Sequence, residues 1–273
     1  MSQLDVNAQR KIAAQLQRVL IVDTSTHEAR LLADLLKQAG AKFIHVEASA
    51  RGALAACSAI DPQMVFTEYS GAGLDGLEFV RALRRSTLSC RKAPITVVTA
   101  EATAVTIVAS RDAGVHEFVR KPFTMGDVMR RLEAVTLKNR PWVEAVQYIG
   151  PDRRRFNSAE YQGARKRKSD GRQPTTADRV SQALKILRSA IDAIDTDPTQ
   201  AVRAMQAQVV ELQAVAQETK DMGLAQAVFQ INQSLKLAAL DGKPSRADFE
   251  ASAGGLWRFK PPETEADKAR PAA

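Results

Sequence analysis

The chain has 273 residues, with 39 Lys/Arg against 31 Asp/Glu and a formal net charge of +8 at pH 7. That length accommodates one large or two small domains with sizeable cores, and two are expected. Cys57 and Cys90 lack a CxxC spacing, the three histidines lack a paired spacing, and no run of about 18 apolar residues occurs. A disulfide framework, a metal site, a hydrolase triad and a membrane-spanning helix are therefore not expected, and the reading is a cytoplasmic, non-enzymatic protein with reduced thiols.

Residues 1–17 are polar, with apolar Ile12 and Leu16, and predict a short leading helix. Val19-Leu20-Ile21-Val22 is a short continuous apolar run, the pattern of a strand buried on both faces, and it stops at Asp23. Thr26 is positioned to cap a helix carrying Leu31, Leu32, Leu35 and Leu36, which Gly40 ends. Strands at 43–48, 64–67, 95–99 and 117–120 then alternate with helices at 49–60, 76–86, 102–113 and 124–137. Five strands alternating with helices argue for a doubly wound parallel sheet of the flavodoxin-like kind. Ligands of such sheets sit beyond the carboxyl ends of the strands, so Asp23, Glu68, Thr99 and Lys121 should converge.

Over residues 18–138 these motifs resemble the CheY-like receiver domain of response regulators. Asp23 matches the first acid after strand one, Asp75-Gly76 the pair that follows the phosphoacceptor by seven residues, Thr99-Ala100 the switch hydroxyl and its neighbour, Lys121-Pro122 the active-site lysine with its proline, and Phe118 the switch aromatic. The resemblance also exposes two departures. Where phosphate-accepting members have aspartate this chain has Glu68, and where they have a second acid it has Thr24. Phosphoryl transfer needs a carboxylate held in line with the donor and a magnesium ion drawing on several acidic oxygens. Glu68 is one methylene too long for that placement and Thr24 supplies no carboxylate, so neither tight magnesium binding nor phosphorylation is expected. Glu68 is expected instead to contact Lys121 or Thr99, either holding an activated-like state or as a leftover ion pair.

Arg140-Pro141 ends the last receiver helix. Residues 148–172 then carry eight Lys/Arg against three Asp/Glu, and they contain a repeat. Tyr148, Gly150, Pro151 and Asp152-Arg153-Arg154-Arg155 return thirteen residues later as Tyr161, Gly163, Ala164 and Arg165-Lys166-Arg167-Lys168. The segment from Gly150 has too few apolar residues for a core, and a solvated linker is the default reading. Arginines beside aromatics, as at Arg155-Phe156, suit a base-bearing anion, because guanidinium groups and rings stack on nucleobases and arginine bonds guanine O6 and N7 in bidentate fashion. Two similar half-sites point to a ligand with twofold character.

Receiver plus PDRRRFNSAEYQGARKRKSD resembles the Cle proteins, CheY-like effectors of cyclic di-GMP with an arginine-rich segment. That resemblance implies one ligand contact from Arg153, Arg154, Arg155 and Phe156, a second from Tyr161, Arg165 and Arg167, and guanine-facing or arginine-orienting roles for Asp152 and Asp170. It also implies a protein partner at the flagellar motor switch. Ala164 and Lys166 depart from the more usual proline and arginine, which lowers the expected affinity, since lysine lacks the planar fork.

Beyond the linker, 139–173, residues 174–260 predict an all-α module. Val180, Leu184, Leu187, Ile191 and Ile194 form one stripe; Asp197-Pro198 opens a helix with Val202, Met205, Val209 and Leu212; Leu224, Val228, Ile231 and Leu235 mark a third, stopped by Asp241-Gly242. Phe249, Leu256, Trp257 and Phe259 are expected to pack back on it, ahead of a tail at 261–273. No histidine follows His116, which excludes histidine phosphotransfer. Ten acidic against eight basic residues over 174–250 is the wrong sign for a DNA-binding output, so nucleic acid is not an expected partner. The alternatives that remain are a phosphorelay regulator with an inert linker and a nucleic-acid-binding regulator using the basic run.

Overall fold

The computed structural model describes residues 6–138, 140–153 and 175–259. They fall into two units, one comprising residues up to 143 with 148–153 and the other 144–147 with 175–259.

The first unit is an α/β domain. Its elements are α1 (Val6–Gln15), β1 (Arg18–Val22), α2 (Thr26–Gln38), β2 (Phe43–Glu47), α3 (Ala50–Ile60), β3 (Met64–Glu68), the small β4 (Ser70–Gly71) and β5 (Leu74–Asp75), α4 (Gly76–Arg85), β6 (Ile95–Thr99), α5 (Ala104–Asp112), β7 (Glu117–Arg120) and α6 (Met125–Leu137). Five strands form one parallel sheet in the order β2-β1-β3-β6-β7. Successive residues of β1 feed opposite faces. Leu20 and Val22 join the core with Val65, Ile95 and Val97 under α3 and α4, while Val19 and Ile21 join Met64, Phe66 and Val98 under α2 and α6. Burial on both faces explains why the strands read as unbroken apolar runs.

The leading helix is part of this second core, because Ile12 and Leu16 are fully buried in it. One boundary differs from the sequence reading. Ser25, not Thr26, caps α2, its hydroxyl accepting from the Glu28 amide at 3.3 Å. The stripe of α2 faces inward through Leu32 and Leu36, and Leu31 is exposed.

After α6 the chain does not become a free linker. Trp142–Glu144 (β8) and Ile149–Pro151 (β9) pair as a two-stranded ribbon, and within the first unit Tyr148, Ile149 and Gly150 are buried. The Tyr148 hydroxyl donates to the Pro151 carbonyl at 2.5 Å, and the Arg153 guanidinium covers its ring at 3.8 Å. The first half of the sequence repeat therefore offers no open aromatic face, since the Tyr148 ring is packed and covered.

Close backbone approach holds the ribbon in place. Gly114 has φ +91°, a Cβ there would overlap the Ile149 carbonyl oxygen, and a Cβ on Gly150 would come within 2.7 Å of the Gly114 Cα. Gly114→Ala is expected to cost at least about 2 kcal/mol, the left-handed strain plus the displaced ribbon. Gly73→Ala, at φ +77° in open space, should cost only the strain. Thermal denaturation of the two variants side by side checks the difference, and equal losses would dismiss the ribbon contact.

The second unit is helical: α7 (Thr176–Asp192), α8 (Pro198–Thr219), α9 (Met222–Asp241), α10 (Arg246–Ala253) and a 3-10 turn at Gly254–Phe259. The apolar stripes meet in one core that includes Leu187, Met205, Leu212, Ile231, Phe249 and Leu256, with Trp257 and Phe259 packed against it. The Gln200 side-chain amide donates to the Glu144 carboxylate at 3.0 Å, and that of Gln208 donates to the Glu144 carbonyl at 3.1 Å. Among the described residues, no helix is long and apolar enough to cross a membrane.

Candidate functional site

The carboxyl ends of β1, β3, β6 and β7 deliver Asp23, Glu68, Thr99 and Lys121 to one place, as the alternating pattern requires. Gly76 opens α4 so close to the end of β3 that a Cβ there would overlap the Glu68 carbonyl oxygen. The Asp75-Gly76 pair thus combines an N-cap, with Asp75 accepting from the Glu78 amide at 2.9 Å, and a residue without a side chain at the tightest point.

At the centre stands Lys121, 11% exposed at its side chain. Its ammonium lies 3.3 Å from Asp23 Oδ2, 3.3 Å from Glu68 Oε1, and in hydrogen-bond contact with Glu28 Oε2. The other Glu68 oxygen, Oε2, accepts from the Thr24 hydroxyl at 2.9 Å and more weakly from the Thr24 amide at 3.3 Å. Asp23 Oδ1 accepts from the Ser25 amide at 2.8 Å. The two departures seen in the sequence are therefore partners, the longer carboxylate reaching the hydroxyl that replaces an acid.

The Thr99 hydroxyl accepts from the Glu101 amide at 3.1 Å and is engaged there rather than with Glu68. Phe118 is buried, with the Arg131 guanidinium 5.3 Å from its ring centre.

Charge follows from this geometry. Burial raises the pKa of Asp23 beyond what the Ser25 amide and Lys121 offset. Burial also pushes Glu68 upward, but the Thr24 hydrogen bonds and Lys121 outweigh it and hold the carboxyl below its ordinary value. For Lys121, burial favours the neutral amine, yet the Glu28 hydrogen bond and the Asp23 and Glu68 charges raise its pKa, so it stays an ammonium.

Asp23, Glu28 and Glu68 each bring an oxygen within 4.8 Å of the others, a spacing at which a cation can be shared. The cation among them is the Lys121 ammonium. A magnesium ion, which demands near-octahedral oxygen ligation at about 2.1 Å, would have to displace it. Glu28 was not anticipated; Ser25-x-x-Glu28 is a capping-box spacing that could have placed it in the first turn of α2, facing the strand ends.

Of the arginine segment, only Asp152 and Arg153 lie among the described residues. Arg153 pairs with Asp112 at 3.1 Å while stacked on Tyr148. Arg154, Arg155, Phe156, Tyr161, Arg165, Arg167 and Asp170 lie outside the described residues.

A parallel sheet in this strand order, with acids and a lysine gathered at its carboxyl edge, defines a receiver-type signalling domain. Residues 19–133, less than half of the chain, match the response regulator receiver domain family. The KDP operon transcriptional regulatory protein KdpE of Escherichia coli K12 is 30% identical over 114 residues, 42% of this chain and 48% of KdpE. Chemotaxis protein CheY-3 of Vibrio cholerae is 25% identical over 118 residues, 43% of this chain and 90% of CheY-3. The chain thus spans about half of the first relative and most of the second. A solved structure of Vibrio cholerae CheY4 is 24% identical, with a TM-score of 0.41 over 44% of this chain and 98% of that one.

Proposed function

We propose that the chain is a non-enzymatic signalling adaptor whose receiver is not driven by phosphate, and whose signal enters as cyclic di-GMP at the arginine segment, residues 152–170. The observation that carries the first half is the state of Glu68. Both of its oxygens are hydrogen-bonded, one to Lys121 and one to Thr24. A carboxylate so engaged presents no free oxygen in line with a phosphoryl donor.

The second half rests on the sequence: eight cations within 25 residues, arginines beside aromatics, and the resemblance to the Cle effectors. Arg153 supports it locally, because its guanidinium is already held over an aromatic ring at 3.8 Å, with 39% of the side chain exposed. A pre-stacked guanidinium is partly organised for base stacking. The partner proposed through the same resemblance is a flagellar motor switch component.

Calorimetry of the full chain with cyclic di-GMP tests the reading. Micromolar binding is expected, weakened at least tenfold by Arg153→Ala combined with Arg155→Ala; no heat, or equal binding by the variant, would remove it. A phosphorelay role is the second reading, favoured by the closeness of the three carboxylates. Incubation with acetyl phosphate and magnesium, followed by intact mass, separates the two. An unmodified chain is expected, and an adduct on Glu68 would establish the rival.

A further inference from the structure

The helical unit turns an apolar ridge of low charge outward. The inner face of α9 is spent on the core, with Leu224, Ala227, Val228, Ile231 and Leu235 all buried. Its outer face carries Met222, 81% exposed, Phe229, 53%, Leu237, 59%, and Leu240, 82%. Along all 20 residues the only charges are Lys236 and Asp241. An exposed helix usually covers its outer face with charge, and a cluster of large apolar groups there marks an interaction surface.

The order of residues on that face says what fits it. Counted from Gln233, apolar Phe229 and Leu237 stand four positions to either side, and polar Gln230 and Lys236 stand three to either side. The match lapses one turn further out, where Gln226 and Leu240 stand at seven. All seven of these residues are exposed. The two central turns are thus symmetric in chemical character, and an isologous twofold contact needs that symmetry most at its centre, where residue i of one copy meets residue j of the other and j meets i. A face shaped for an unrelated partner carries no such requirement. The charge agrees, since the one cation on the central turns falls opposite a glutamine and not opposite itself.

We propose that α9 pairs antiparallel with α9 of a second copy of this chain, about a twofold axis through Gln233. In that register Phe229 of one copy meets Leu237 of the other, and the two Gln233 amides can hydrogen-bond across the axis. Each Lys236 faces a Gln230, which can accept from it, and the two lysines stay apart. At the rim Leu240 lies against the methylenes of Gln226, the weakest fit of the set. The antiparallel arrangement also opposes the helix dipoles favourably.

Beside the ridge runs a groove of about 630 Å³ between α9 and α10, walled by Gln230, Ser234, Leu237, Phe249 and Ser252. Because Leu237 forms part of its wall, a Phe229 seated against Leu237 from the second copy lies at its mouth, a ridge beside a groove on each protomer. One helix pair with this groove is a small interface, so the dimer is expected to dissociate in the micromolar range.

Sedimentation of the full chain across micromolar concentrations tests this, with circular dichroism to show that each variant keeps its helices. The wild-type chain should pass from monomer to dimer, and Leu237→Glu should stay monomeric throughout. Gln226→Leu completes the apolar match with Leu240 and should tighten the dimer roughly two- to tenfold. Gln230→Glu adds two symmetric ion pairs with Lys236 and should tighten it by a similar factor, roughly two- to fivefold. Gln233→Cys, on the axis, should cross-link to a covalent dimer under mild oxidation, while Gln206→Cys on the exposed side of α8 should not. A wild-type monomer at every concentration, a Leu237→Glu chain that dimerises like wild type, a Gln226→Leu chain no tighter than wild type, or equal cross-linking at 206 and 233 would each overturn the proposal.

Discussion

Arg84→Leu is expected to lower the stability of the receiver unit by roughly 3–5 kcal/mol. Arg84 is 1% exposed at the end of α4. All five of its N–H groups are used: Nε and Nη2 donate to the Gly114 carbonyl at 3.1 and 2.9 Å, Nη1 to the carbonyls of Arg91 and Ala93 at 2.5 and 2.9 Å, and Nη2 to His116 Nδ1 at 3.2 Å. None of these partners is a carboxylate, so the buried charge is met by carbonyl dipoles. Burial lowers the guanidinium pKa to about 9, which leaves it cationic at neutral pH. His116 is neutral, its pKa pushed well below 6.5 by burial and by the Arg84 and Arg140 charges, and with Nδ1 accepting, its proton is on Nε2.

Leucine would fill part of the space and leave this ring of acceptors without a donor. Lysine would keep the charge but not the fork, and should recover only a minor part of the loss. Trp142, whose ring lies 5.1 Å from the guanidinium carbon, gives the measurement. In a Trp257→Phe background it is the sole tryptophan, and urea unfolding followed by its fluorescence reports this unit. A loss below about 1 kcal/mol would mean that water replaces the guanidinium at little cost. Arg84 meets Trp142 at the start of the ribbon that precedes the arginine segment.

The parallel sheet was legible because burial on both faces leaves strands such as Val19–Val22 without polar alternation, and helices with named caps and glycine stops fill the intervals. The site was legible in part: Asp23, Glu68 and Lys121 stand at strand ends, where a doubly wound sheet must bring them together. Three features were not. Arg84 sits in a helical turn with Arg81 and Arg85, and a basic C-terminal turn looks the same whether a residue complements the helix dipole or is buried. Glu28 acts through a long side chain crossing from α2 to Lys121, and periodicity carries no information about such reach. The ribbon was hidden by its three-residue strands and by Pro141, although Trp142, Val143, Tyr148 and Ile149 are more apolar than a solvated linker needs. Ser25 and Thr26 each precede the apolar stripe plausibly as a cap, and only the Glu28 amide decides between them.

Lys121→Met should cost about 2–4 kcal/mol at pH 7, because it leaves Asp23, Glu28 and Glu68 sharing a pocket without the ammonium that separates them. In the wild-type chain the depressed pKa of Glu68 contributes stability that is present above 4.5 and lost as pH falls through its lower folded value. In the variant the sign reverses. Without Lys121 the carboxylates repel, Asp23 rises further above 3.8, and the folded state takes up protons that the unfolded chain releases. The deficit of the variant should therefore narrow as pH is lowered from 7 toward 5.

The same substitution tests the proposal that this receiver is not driven by phosphate. If the ammonium is what occupies the cation position, removing it opens that position to a divalent ion. Millimolar magnesium or calcium should then raise the melting temperature of Lys121→Met above that in sodium chloride of equal ionic strength, and leave the wild-type chain unchanged. A wild-type chain that responds as strongly as the variant would show that a divalent ion displaces the ammonium unaided, and the account of Glu68 as a committed carboxylate would fail with it. A variant that responds only to calcium would instead place the limit in the length and spacing of Glu28 and Glu68, since calcium accepts the longer and less regular oxygen distances that magnesium refuses.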